Sequence, residues 1–200
     1  MTFPAALVIA AGAAGVAGLA GVATSAQTPV QSNSGIYVTA EDYASGTTKD
    51  GGACGSNAYK VEVHDVLNKP FIDVTRGKEK KRYAKSELFG LRLCDGHDYR
   101  FAANRLYRIL ETGGLYMYGV ERPATQGKGF KLVRSYYFSA GATGEVLPLT
   151  LENLHRAYGT NHRFIDSLDR VTGQDLAEYD TFHQQFKVSR LLVESATQDR

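Results

Sequence analysis

The sequence predicts an α+β fold, an antiparallel β-meander or partly open barrel-like sheet followed by two to three C-terminal helices packed on it. Three observations carry that prediction. Between Tyr59 and Ser139, eight short β-type runs are separated by turn residues such as Asp95-Gly96, Ala103-Asn104 and Gly113-Gly114. After Gly144 the apolar period changes from two toward 3.6, with Thr150 and Asn161 standing where N-caps belong. The charges, 23 basic against 21 acidic in 200 residues, nearly cancel, as in an ordinary globular chain.

The elements follow in order. Residues 1–26 carry no charged side chain and read as an export signal, with an apolar stretch over 5–22 and small residues Thr24-Ser25-Ala26 at the expected cleavage point after Ala26. Met1-Thr2-Phe3-Pro4 lacks the usual basic residue of such a leader. An uncleaved anchor is the rival reading, because the stretch approaches the roughly 20 residues that span a bilayer. Its Ala/Gly content, with Gly12, Gly15, Gly18 and Gly21 regularly spaced, makes it a weak span. The expected location is the periplasm or the extracellular medium.

Residues 27–34 are polar and read as a disordered linker, and 35–200 as a single domain, β-rich over 35–147 and helical over 148–195. Ile36-Tyr37-Val38 is a short strand, and Thr39 with Asp42 has capping-box spacing for a helical turn. Residues 45–57 read as a glycine-rich loop. The eight runs then cover 59–63, 70–75, 81–84, 88–94, 99–102, 105–110, 115–120 and 130–138. Thr150 and Gly159 bound one helix, Asn161 opens the next, and Leu176, Tyr179, Phe182, Phe186 and Leu192 space out a final helix over 176–194.

Cys54 and Cys94 are an even pair in a chain with an export leader, which favours a structural disulfide closing a loop of about 40 residues. Two free thiols remain open, as does a nucleophilic Cys54 in its flexible Gly51-Gly52-Ala53-Cys54-Gly55 turn with His64 downstream. Two cysteines do not make a four-thiolate zinc site, and no His-x₃₋₅-His pair joins them.

The segments Gly35-Ile36-Tyr37-Val38-Thr39-Ala40-Glu41-Asp42-Tyr43 and Tyr136-Tyr137-Phe138-Ser139, together with Pro148-Leu149-Thr150-Leu151-Glu152-Asn153-Leu154 and Tyr179-Asp180-Thr181-Phe182-His183, carry a resemblance. With Ser86-Glu87-Leu88-Phe89-Gly90 and Asp98-Tyr99-Arg100 between them, the chain resembles uncharacterised exported proteins of environmental Gram-negative bacteria. The resemblance covers most of the mature chain. It implies export and one domain, and brings no activity, catalytic residue or cofactor with it.

Four groups of residues could carry chemistry. His162, Asp166 and Asp169 share a helix face at i, i+4 and i+7, a spacing that orients an imidazole or ligates a metal, although it also describes a solvated polar face. Asp180 and His183 form half of a triad with no identifiable nucleophile. Arg76, Lys78, Lys80, Lys81, Arg82 and Lys85 place six basic residues in ten at a hairpin tip, which suits an anionic polysaccharide or lipid headgroup and equally a soluble turn. Twelve tyrosines and no tryptophan, with Tyr116, Tyr118, Tyr136 and Tyr137 on adjacent runs, suit a glycan platform or cross-strand packing.

Common hydrolase, phosphate-loop and dinucleotide motifs are missing, and the near-zero net charge argues against nucleic acid. The expectation is a monomeric, exported, non-enzymatic binding or structural domain of the envelope, without cofactor, catalytic residue or metal, and with a cell-envelope component or glycan as partner. The alternatives are an exported hydrolase built on His183 and Asp180, and a glycan- or lipid-surface binder using hairpin 76–85.

Overall fold

The computed structural model describes residues 33–55, 59–126 and 129–197. In chain order the elements are β1 (Asn33–Tyr37), α1 (Ala40–Ala44), β2 (Lys49–Ala53), β3 (Tyr59–Glu62), β4 (Phe71–Arg76), β5 (Glu79–Ala84), a 3₁₀ turn at Lys85–Glu87 and β6 (Gly90–Arg92). Then come β7 (Asp98–Ala102), β8 (Arg105–Glu111), β9 (Tyr116–Gln126), β10 (Gly129–Ser139), β11 (Leu147–Pro148), α2 (Leu151–Tyr158) and α3 (His162–Leu168). A second 3₁₀ turn at Asp175–Ala177, the short hairpin β12 (Tyr179–Asp180) and β13 (Gln185–Phe186), and α4 (Lys187–Thr197) end the described chain.

The fold is α+β, and its main sheet is open. Strands β6 to β11 form an antiparallel meander, and the β1–β2 hairpin adds to it through β1 and β6, leaving β11 and β2 as the edges of eight strands. The first three predicted runs do not join it. They form a separate sheet in the order β3-β4-β5.

Three further expectations are corrected. Residues 45–57 are not all loop, because β2 pairs with β1 from Asn33 opposite Ala53 to Ile36 opposite Lys49. That pairing also makes strand of Asn33 and Ser34, which the sequence had assigned to the linker. The final helix begins at Lys187 rather than 176, since the Asp180 carboxylate accepts the backbone N–H groups of Phe182 and His183 and bends the chain into the β12–β13 turn. Calls on residues 1–32 lie outside the described residues, and no described helix is long and apolar enough to cross a membrane.

Local chemistry sets most ends. Thr39 and Asp42 make the reciprocal capping box that opens α1, Thr150 caps α2, and Asn161 caps α3 while its amide donates to Ser195 of α4. Gly90 is required where β6 passes β7, because a Cβ there would stand 1.9 Å from the Tyr99 carbonyl oxygen.

One face of the main sheet is covered twice. Toward β9–β11, Met117 and Phe138 pack with Leu154, Phe164, Leu168, Leu176 and Val188 of the helical segment. Toward β1–β7, Ile36, Leu91 and Phe101 pack with Ile72 and Val74 of the small sheet. The opposite face holds Tyr37, Arg100, Tyr107, Tyr118 and Tyr137, with Tyr43 of α1 set against Tyr37 and Phe89. Arg100 is buried there, with no carboxylate paired to it among the described residues. Its Nη1 donates to Tyr118 Oη at 2.7 Å and Ser139 Oγ at 3.0 Å, and its Nη2 donates to the Gly144 carbonyl at 2.7 Å.

Cys54 and Cys94 are joined as a disulfide, with their Cα atoms 5.4 Å apart. The bridge links the end of β2 to the end of β6 across β1. That leaves no thiol for the nucleophile alternative.

Candidate functional site

The sequence singled out ten residues of one basic run, and the structure divides them by the pleat of β5. Lys80 and Arg82 point to the outer face of the small sheet, while Lys81 and Tyr83 point to the other side. There Asp50 of β2 accepts the Tyr83 hydroxyl and pairs with Lys81 at 3.5 Å and Arg76 at 3.9 Å. Lys85 turns inward, buried, and donates to the Asn104 carbonyl at 2.9 Å. Lys78 stays exposed at the β4–β5 turn.

The outer face carries the densest constellation. Cross-strand register lines up Glu62, Asp73 and Arg82 in one row and Lys60, Thr75 and Lys80 in the next. Asp73, only 2 % exposed, sits at the centre. Arg82 donates to both of its oxygens, Nε to Oδ1 at 2.8 Å and Nη2 to Oδ2 at 3.1 Å. His64 Nε2 reaches Oδ2 at 3.1 Å, and Lys80 Nζ lies 3.3 Å from that oxygen and 3.3 Å from Glu62 Oε2. Lys60 closes on Glu62 from the other side at 2.7 Å. Phe71 supports the array from below, with the Arg82 guanidinium 3.7 Å from its ring centroid and His64 edge-on.

These partners hold the Asp73 carboxyl well below the usual carboxylate range, Arg82 first, with His64 and Lys80 adding to it against the opposing effect of burial. A carboxylate depressed in the folded state adds stability above its unfolded pKa of about 3.9 and loses it as pH falls through the folded value. The melting temperature should therefore drop as pH falls below about 4, and Asp73→Asn should flatten that drop, measured by calorimetry between neutral and strongly acid pH. An acid limb as steep in Asp73→Asn as in the parent would assign the effect to other groups.

Glu62, His64 and Asp73 each offer a ligand atom, and these atoms lie within 4.8 Å of one another. Three such donors suit a metal centre in composition. Here the Lys80 ammonium bridges the two carboxylates and Arg82 takes both Asp73 oxygens, so an incoming ion must displace two of the protein's own cations. The arrangement is a buried acid that orients cations.

The other candidates are dispersed. His162 and Asp166 are exposed on α3, and Asp169, its C-cap residue, pairs with His155 of α2 at 3.4 Å. The expected three-residue face is thus not assembled. Asp166 instead lines a cleft of about 490 Å³ between α3 and α4 with Arg170 and Glu194. His183 does meet Asp180, Nδ1 to Oδ2 at 2.7 Å, though on the β12–β13 turn and not on a helix. The His183 backbone N–H, then its ring, pull Asp180 down to about 2. Among the described residues no hydroxyl bonds to His183, so the pair lacks the third member that acyl transfer needs.

The tyrosine expectation divides as well. Tyr107 packs edge to face with both Tyr118 and Tyr137, while Tyr136 turns to the helical core against Phe186. Sequence reasoning passed over Glu62 and Asp73, and it met His64 only as a partner for a nucleophilic Cys54, whereas the imidazole lies on Asp73 and Cys54 is bridged. The available signal was an acid inside the apolar run Phe71-Ile72-Asp73-Val74, on the strand face opposite Ile72 and Val74. Comparison with protein-family models, curated proteins and solved structures finds no match.

Proposed function

We propose that the protein is an exported, non-enzymatic binding domain whose outer small-sheet face holds an anionic polymer, a negatively charged envelope polysaccharide being the substance that fits best. One observation carries the reading: buried Asp73 fixes Arg82, Lys80 and His64 at 2.8 to 3.3 Å while Arg82 and Lys80 keep more than half of their side chains in solvent. Cations held in place before contact lose less freedom on binding than cations on free stems. Lys60 on the same face and Lys69 beside the Phe71 ring extend this basic surface, which outnumbers Glu62 and Asp73 in charge. The apolar leader and the Cys54–Cys94 bridge support an oxidising compartment for this encounter.

Binding to dextran sulfate and to a neutral dextran, measured calorimetrically over a range of salt, tests the reading. The sulfated polymer should bind, and the complex should weaken with salt. Lys60→Gln with Lys80→Gln should weaken it by at least about tenfold, since each basic contact at an anionic surface is worth about fivefold. Equal binding of both polymers, or an unchanged affinity in the double variant, would overturn it.

A further inference from the structure

β9 and β10 pair over 11 residues each, yet β8 accompanies β9 only as far as Gly119, and β11 covers β10 only at Tyr137 and Phe138. Beyond those points the two strands run on as an arm with both edges open. Every residue of β10 from Gly129 to Arg134 is exposed. The pleat sorts the side chains. Phe130 and Leu132, 82 % and 65 % exposed, share one face with Pro123, while Arg122 and Lys131 share the other.

Scattered exposed apolar residues are ordinary. A row of them on a two-stranded ribbon that no third strand or helix accompanies among the described residues is different, because such a ribbon is marginal in water by itself. A second segment stands beside it. The loop between β3 and β4 exposes Val66 at 99 % and Leu67 at 69 %. Its Asp65 accepts the Leu106 backbone N–H at 3.1 Å and lines one cleft with Glu121 and Arg134, which share the pleat face of Leu132. The loop therefore flanks the apolar face of the arm.

The charges of this region leave a positive excess, because Asp65 is the one carboxylate set against Arg122 and Lys131. Glu121 is paired with Arg134, whereas Arg122 and Lys131 make no ion pair among the described residues. We infer that the β9–β10 arm and the loop beside it dock the protein on an anionic bilayer surface. Phe130, Leu132, Val66 and Leu67 enter the interfacial layer, and Arg122 and Lys131, on the other face of the ribbon, reach the lipid phosphates past its open edges on their long stems. The open edges limit the depth, since unpaired backbone N–H and C=O groups must stay within reach of water and headgroups. A second copy of the chain paired edge to edge along β10 would satisfy that backbone, but it offers no acid to the unpaired cations and leaves Val66 and Leu67 bare.

The inference goes beyond the polymer-binding reading and does not rest on it. Co-sedimentation of the full domain with phosphatidylcholine vesicles containing phosphatidylglycerol, against phosphatidylcholine alone, tests it. The protein should partition onto the anionic vesicles. Phe130→Ser with Leu132→Ser should reduce that partition by at least about tenfold, and Arg122→Gln with Lys131→Gln by about tenfold with a smaller salt dependence. All four positions are exposed, and an unchanged melting temperature verifies the fold. Lys60→Gln with Lys80→Gln, on the small sheet, should leave partition unchanged, which separates failure here from failure of the polymer reading. No partition of the parent protein, or partition indifferent to both arm variants, would overturn the inference. So would a dimer in sedimentation that the Phe130→Ser, Leu132→Ser protein loses, with no vesicle binding by the parent.

Discussion

Replacing Cys54 and Cys94 by alanine should lower the unfolding free energy by about 4 kcal/mol, the loop-entropy value for a closure of 40 residues. For a domain of this size that corresponds to a fall in melting temperature of roughly 8 to 16 °C. The bridge has a demanding position. It ties the loop after β2, which contains Gly55, to the turn after β6, and so clamps an edge strand that makes only a few ladder bonds. Reductant added to the native protein should reproduce the loss seen in the double variant. A melting temperature indifferent to both would mean that pairing with β1 and the Asp50 contacts to Tyr83 and Lys81 hold β2 without the bridge.

Arg100→Ala should cost about 3 to 4 kcal/mol, by cavity formation and by leaving buried acceptors without donors. Of those acceptors, the hydroxyls of Tyr118 and Ser139 keep each other at 2.9 Å, but the Gly144 carbonyl loses the Arg100 donor. Arg100→Lys should recover less than half of the loss, because one ammonium lacks the planar fork that serves Gly144 on one nitrogen and Tyr118 with Ser139 on the other. Denaturant titration of the three proteins measures this order. Full recovery by lysine would show that charge, and not the fork, is what the site requires.

The sequence disclosed what local chemistry decides. Capping by Thr39, Thr150 and Asn161 and the eight β-type runs depend on residues close in the chain, and they appear where spacing puts them. What it concealed depends on partners far away. β2 contains Asp50-Gly51-Gly52, a poor strand by propensity, yet its glycines are needed: a Cβ on Gly51 would stand 2.7 Å from the Ser34 carbonyl oxygen, and one on Gly52 2.5 Å from the Tyr59 ring.

The final-helix stripe misled for the opposite reason. Leu176 and Phe186 are buried as a helical stripe requires, but Tyr179 and Phe182 between them are exposed, so the spacing was coincidental. The functional face followed the same rule. Arg76, Lys80, Lys81 and Arg82 read as one cationic run, and only register sends two of them to Asp50 and two to Asp73, 31 and 9 residues away along the chain for Lys81 and Arg82. His162 and Asp166 are exposed, as a solvated polar face requires, whereas the link to Asp169 gave way to the His155 pair across two helices.

The double covering of one sheet face gives the described residues two separate interiors joined through the strands between them. Substitutions in one interior are then buffered from the other, since side chains far apart with no shared neighbours contribute nearly independently. Such a layout lets the small-sheet end and the helical end diversify at different rates. Each can change its surface chemistry without repacking the half that keeps the chain folded.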